Sequence, residues 1–393
     1  MKLVPLKDLG SIYTGNTPSK NERKFYEAKD IPFIKPDIIS DSKLSEITHT
    51  EEYISNLARN NARIIPKNSI LVTCIGSIGK IGITGPGEYA FNQQINAIVP
   101  NDGINVRYFA YCLLFNKKKL CEIANNAVVP IINKKQFSDF CVNINPDIKV
   151  QKDIVRTLDI LACIIKHRQS QLMKLDELVK CRFVEMFGDP TLNPFNWKIV
   201  PLSSIIRGNA SNGYFAKREE YCQLGNVQVL GVANVVNRMY SSTYNLPRAK
   251  ATDKDIKKYH IKYGDMLFCR SSLVAEGIGK ASIVPPNIPK NTLFECHVIR
   301  ISLDLSQCVP EYIQVLSTDF YFRKQVIAQS KTATMTTISQ DGILKCCVPL
   351  PPLELQKEFL TFTHRVDKLR FVIQQSLDET QKLFDSLMQE YFD

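Results

Sequence analysis

Two stretches of the chain repeat apolar side chains at coiled-coil spacing. Residues 148–187 and 353–393 contain no Gly or Pro, and Gly188-Asp189-Pro190 stops the first stretch. In the first, Ile154, Leu158, Leu161, Ile165, Arg168, Leu172, Leu175, Val179, Arg182 and Met186 step alternately by four and three. The same register 205 residues later reads Phe359, Thr363, Val366, Arg370, Ile373, Leu377, Thr380, Phe384, Leu387 and Tyr391. A mean step of about 3.5 predicts two long helices packed on each other. At about 1.5 Å per residue, each forms a rod of roughly 60 Å.

The sequence ahead of each helix is different in kind. Short β-rich runs such as Ile70-Leu71-Val72 alternate with turn signals such as Gly85-Pro86-Gly87 and Pro285-Pro286-Asn287. Helical patterns lie near Tyr108 to Leu120 and Tyr312 to Ala328. These are mixed α+β globules, and they repeat. Lys2-Leu3-Val4-Pro5-Leu6 returns as Lys198-Ile199-Val200-Pro201-Leu202, Ile78-Gly79-Lys80 as Ile278-Gly279-Lys280, Phe91 as Phe294, Tyr108 as Tyr312, and Gln151-Lys152 as Gln356-Lys357. The offset grows from 196 to 205 without reversing, as in a duplicated unit with small insertions in its second copy. The predicted architecture is an α+β globule at 1–145, a helix at 146–188, a second globule at 189–350 and a second helix at 351–393. Antiparallel helices would place the globules at opposite ends of the rod, as a pseudo-two-fold internal repeat.

Charge falls on the globules. Of a net +11 over 393 residues, residues 1–145 carry +5 and 190–350 carry +8. Two basic globules on a near-neutral rod point to a polyanion gripped at two places, and a pseudo-symmetric protein matches a split DNA site. A surface merely solvated by lysines is the plainer alternative. The purest apolar run, Ile160 to Ile165, is too short for a membrane span, and the first seven residues lack the apolar core of a signal peptide. The expectation is a cytoplasmic protein with no membrane partner. Twelve cysteines, without a C-x-x-C pair, read as reduced core residues and not as metal ligands.

The search for catalytic motifs returns contact chemistry instead. Gly79-Lys80 and Gly279-Lys280 are followed by Ile81 and Ala281, so neither completes a nucleotide-binding loop. His297, beside Glu295 and Cys296, reads as a strand residue in core or surface. The polar loop Asn16, Thr17, Ser19 and Lys20, with Arg23, Lys24 and Lys35 near it, suits phosphate and base contacts. At an offset of 196 its partner is Ser211-Asn212-Gly213-Tyr214 with Lys217 and Arg218. Lys80 and Lys280 sit on tight turns, explained equally by phosphate positioning or by a plain β-turn. Ser77 lies opposite the Arg270, Ser271 and Ser272 run, and Gln93 opposite Cys296. If each globule reads DNA, unlike chemistry at equivalent places implies two unlike half-sites. A self-contained DNA-modifying enzyme and a coiled-coil scaffold without DNA are the competing classes.

The chain resembles the specificity (S) subunits of type I restriction-modification systems. The marks are Val-Pro-Leu at the start of each globule, Gly15-Asn16-Thr17-Pro18-Ser19, Ile31-Pro32-Phe33-Ile34-Lys35 with Asp37-Ile38, and Phe91-Asn92-Gln93-Gln94. Pro349 to Gln356 leads into the second helix, and Arg182 to Pro190 leads out of the first. The second globule departs from G-x-T-P-S with Gly208-Asn209-Ala210-Ser211, and the first helix begins after Asn145-Pro146-Asp147 without the proline-rich lead. The resemblance implies two target recognition domains, each reading half of a bipartite asymmetric site in double-stranded DNA, with the helices as a ruler for the spacer. It implies no catalytic residues on this chain. The helices would dock two methyltransferase (M) subunits, and restriction (R) subunits would join. S-adenosylmethionine, ATP and Mg would belong to those partners.

Overall fold

The first strand of each repeat pairs with its last. In the computed structural model, which describes residues 1–124 and 129–393 with only the backbone of Arg218, two compact units divide the chain. The first is Met1–Gln169 with Gln374–Asp393, and the second is Ser170–Ile373. In the first unit Lys2–Pro5 runs antiparallel to Cys141–Ile144, with Val4 opposite Val142. In the second, Lys198–Pro201 runs antiparallel to Cys347–Leu350, with Val200 opposite Val348.

The sheets repeat as well. The first unit has a five-stranded sheet in the spatial order Gly10–Thr14, Ile95–Pro100, Ile70–Thr73, Ile81–Thr84, Ser45–Ile47. Its two apolar runs, Ile70–Thr73 and Ile81–Thr84, are buried at every residue, as continuous strands covered on both faces must be. The second unit keeps the first four places of that order as Ser211–Asn212, Val298–Ser302, Asp265–Cys269 and Ala281–Ile283. A parallel pair beside each sheet recurs too, with Ile34 opposite Phe91 in one unit and Leu230 opposite Phe294 in the other.

Each single helical pattern of the sequence is broken into two helices. Val106–Phe115 gives way to Lys117–Glu122 at Asn116, and Pro310–Thr318 to Phe320–Ala328 at Asp319. Asp319 has an extended backbone, and its carboxylate accepts from Tyr321 N at 2.8 Å, capping the next helix.

The long helices span Ile148–Phe187 and Leu353–Phe392. All ten seam positions of each, Leu158, Leu161, Ile165, Leu172, Leu175, Val366, Ile373, Leu377, Phe384 and Leu387 among them, are buried or half-buried. In the second unit partner numbers fall as helix numbers rise: Asp176 meets Arg370 at 2.7 Å, and Phe187 meets Phe359 with ring centroids 5.5 Å apart. The helix segments are therefore antiparallel. In the first unit Ile154, Val155 and Leu158 share a core with Met388 and Phe392, in the same sense.

A buried glutamine joins each helix start to its globule. Gln151 Oε1 accepts from Asn105 N at 2.8 Å while its Nε2 donates to Asn145 O at 2.7 Å. Gln356 repeats this with Val309 N at 2.9 Å and Pro351 O at 2.8 Å. This explains the repeated glutamine. Gln356→Leu would leave a buried N–H and a buried carbonyl unpaired, at about 1–3 kcal/mol each. The expected result is a lower urea midpoint for the second unit, followed at Trp197, whose Nε1 donates to Phe187 O at 3.0 Å.

Candidate nucleic-acid interface

Three loops leave the same end of the central sheet in each unit. In the first, Gly15 N donates to Ile95 O and Asn16 N to Phe91 O, both at 3.1 Å, and Cys74 N donates to Gln94 O at 2.7 Å. In the second, Gly213 N donates to Val298 O at 3.2 Å, Tyr214 N to Phe294 O at 2.6 Å, and Arg270 N to His297 O at 2.8 Å. These bonds equate Gly15 with Gly213, Cys74 with Arg270, and Gln94 with His297.

The first of these equations corrects the sequence alignment. The counterpart of Asn16-Thr17-Pro18-Ser19 is Tyr214-Phe215-Ala216-Lys217, and neither Gly208-Asn209-Ala210-Ser211 nor an alignment of Gly15 with Ser211 holds. The reason is steric. A Cβ at Gly15 would lie 2.1 Å from Asn92 O, and one at Gly213 would lie 2.2 Å from both Phe294 O and Glu295 O. Only glycine lets the loop cross so close to the backbone beneath it.

In the first unit this arrangement brings Thr17 to Gln93. Asn16 is exposed, with Nδ2 donating to Asn61 O at 2.6 Å. Thr17 Oγ1 donates to Gln93 Oε1 at 2.7 Å, which holds the exposed Gln93 amide by its oxygen and leaves its nitrogen as the donor for a partner. Ser19, Lys20 and Ser77 are exposed. Other predicted cations are engaged internally. Lys35 pairs with Glu52, Lys24 with Glu22 at 3.1 Å, and Lys80 Nζ donates to Pro36 O at 3.2 Å. Arg23 is exposed on the short helix Arg23–Phe25.

In the second unit Asn212 is half-buried opposite Ile299, and Lys217 is exposed. The Arg218 side chain lies outside the described residues. Arg270 is half-buried, with Nη1 donating to Cys296 O at 3.2 Å. Ser271 Oγ lies 2.8 Å from His297 Nδ1, and Ser272 Oγ accepts from Val274 N at 3.3 Å. Lys280 Nζ donates to Asn237 Oδ1 at 2.7 Å. Like Lys80, it follows a left-handed glycine, with φ 61° at Gly279 and 78° at Gly79, and locks the turn to the neighbouring connection.

Sequence reasoning missed a fourth segment. Ser330–Thr332 and Thr336–Ile338 form a hairpin whose second strand pairs with Ser271–Ser272. Arg270 O accepts from Ile338 N at 3.0 Å, as Cys74 O accepts from Ile132 N at 2.9 Å in the first unit. The available signal was the run of threonines between 332 and 337, which favours strand.

The thiols beneath the loops are held protonated. Burial pushes Cys74 up to about 12 against the opposing bond from Asn96, and burial also raises Cys269 and Cys296. Among the described residues no group of three or more His, Cys, Asp or Glu is placed to hold a metal ion, and no helix is long and apolar enough to cross a membrane.

A repeated α+β sheet that carries polar loop clusters of unlike composition, each unit built against an antiparallel helix pair, defines a duplicated α+β protein. Residues 1–174 match the type I restriction modification DNA specificity domain. The chain is 41% identical over 104 residues to the type I restriction enzyme HindI specificity subunit of Haemophilus influenzae, covering 26% of this chain and 22% of that one. It is 31% identical over 164 residues to the EcoR124I/EcoR124II specificity subunit of Escherichia coli, covering 39% of each. The alignments thus span well under half the length of either relative. The fold is similar to that of the type I restriction-modification S subunit from M. genitalium, with a TM-score of 0.55 at 12% identity over 100% of this chain and 96% of that one.

Proposed function

We propose that this chain is the DNA-reading subunit of a type I restriction-modification complex, with one loop cluster for each half of a split, asymmetric duplex site. Residues 1–145 and 189–350 act as the target recognition domains. The helices at 146–188 and 351–393 set the spacer and dock two methyltransferase subunits, with restriction subunits joining them in the cytoplasm. Chemistry, with S-adenosylmethionine, ATP and Mg, belongs to those partners. The chain's own residues bind and position DNA.

The observation that carries this reading is the unlike chemistry at equivalent loops. Where the first unit has Thr17 and Gln93 the second has Phe215 and Cys296, and where the second has Arg270 and His297 the first has Cys74 and Gln94. Amide and hydroxyl groups can read base edges, and differing sets read differing sequences.

The test is a methylation map of DNA treated with this chain and its methyltransferase subunit. The expected motif is split and non-palindromic. Gln93→Ala should relax one half and Arg270→Ala the other, each by about 1–3 kcal/mol of discrimination. A palindromic motif, or preferences unchanged in both variants, rejects the reading.

A further inference from the structure

We infer that the hairpin Ser330 to Ile338 of the second unit enters the DNA major groove and that its outward row of Lys331, Thr337, Ser271 and His297 reads the second half-site. This rests on the reading of the chain as a DNA-recognition subunit, and it gives that reading a specific edge.

The row follows from register. Lys331 lies directly opposite Thr337, and Thr337 directly opposite Ser271 on its other side. Directly paired residues of antiparallel strands share a face. The three side chains therefore line up across three strands. Ser271 Oγ lies 2.8 Å from His297 Nδ1, which extends the row by one residue. The neighbouring positions face inward: Thr336 and Ile338 are 3% and 2% exposed, and Ile338 packs in the core of the unit. Lys331, Thr337 and His297 are all exposed. One face is thus anchored and the other is a polar edge.

Charge selects the occupant. Segments 269–274 and 329–340 hold Arg270 and Lys331 and no Asp or Glu. The nearby Glu295 is turned away, its Oε1 accepting from Val232 N at 2.7 Å. The hairpin forms two neighbouring strands of this three-stranded sheet, one of them its edge, and a two-stranded ribbon is one of the shapes the major groove admits, where each base pair shows a distinct set of donors and acceptors. Lysine donates to guanine O6 and N7, hydroxyls serve as donor or acceptor, and the His297 imidazole, with Nδ1 held by Ser271, keeps Nε2 for a base.

The experiment uses the full chain with its methyltransferase subunit and compares Lys331→Met and Thr337→Val with wild type. Both substitutions keep the strand and its exposed position, and a thermal melt checks that the fold is retained. Expected is a loss of about tenfold in discrimination at positions of the second half-site, with the first half-site unchanged. A split motif unaltered by either variant overturns the inference and leaves the DNA-recognition reading standing. Uniform weakening on all sequences with a shallower salt dependence also overturns it, because that marks phosphate contact. A wild-type complex that marks no split site overturns both readings.

Discussion

Phe359→Ala is expected to destabilise the second unit by about 3–5 kcal/mol, the range for deleting a buried phenyl ring from a packed core. Phe359 is fully buried and meets Phe183 and Phe187 with ring centroids 5.7 and 5.5 Å away. Tyr312 stacks on Phe183 at 5.3 Å and meets Phe187 edge-on at 4.7 Å. Removing the Phe359 ring therefore strips contacts from two aromatic neighbours on the facing helix, and rigid rotamers around the hole limit its collapse. Trp197 reports the loss directly through its bond to Phe187 O. Its fluorescence in urea should show a midpoint shift of that size, and a shift below about 1 kcal/mol would mean that the cluster does not hold the unit together. The first unit uses a separate pair, Tyr108 with Phe392 at 5.1 Å, so its stability should not change.

Gly15→Ala is expected to abolish reading of one half-site, and Gly213→Ala of the other. The added methyl would sit 2.1 Å from a main-chain oxygen in one case and 2.2 Å from two in the other, and main chain cannot move aside as a flexible side chain can. The loop itself must lift. In the first unit that breaks the bond from Asn16 N to Phe91 O and separates Thr17 from Gln93. Losing several base contacts at once should lower methylation of the cognate site by about a hundredfold or more, since each good contact is worth roughly 1–3 kcal/mol. Methylation assays on duplexes altered in one half at a time check this. Gly15→Ala should make the complex indifferent to changes in one half and leave the other fully discriminated. Loss of both halves together would show that the two loop clusters do not read separately.

The long helices were legible in the sequence because a heptad seam depends on spacing alone. Even the polar seam positions have local explanations: Arg370 takes Asp176 at 2.7 Å, and Thr363 Oγ1 donates to Leu360 O at 2.9 Å. The repeat was legible where strands are buried, since Ile70-Leu71-Val72 and Met266-Leu267-Phe268 must stay apolar. The candidate site was less so. Counting cations shows that Lys35, Lys80 and Lys280 exist, and only the fold shows Glu52, Pro36 O and Asn237 holding them. The register between Gly15 and Gly213 was hidden because the intervening insertion falls in weakly patterned turns. The hairpin at Ser330 escaped notice because its outward face is polar and its strands are only three residues long, too short to display alternation.

The pairing of first strand with last has a consequence for how such a protein can vary. Residues 6–140 begin and end on neighbouring strands, and so do residues 202–346, so each globule is attached at a single doorway. Between the copies the offset is 196 at Lys2 and Lys198 and 206 at Ile144 and Leu350, so the growth in length falls inside the doorway. Outside it the turn into the second helix is one residue shorter than the turn into the first, and both long helices are 40 residues. Loops within the frame that do not touch the helices can lengthen or shorten while the helix register stays fixed, which leaves them free to diversify independently of the scaffold that carries them.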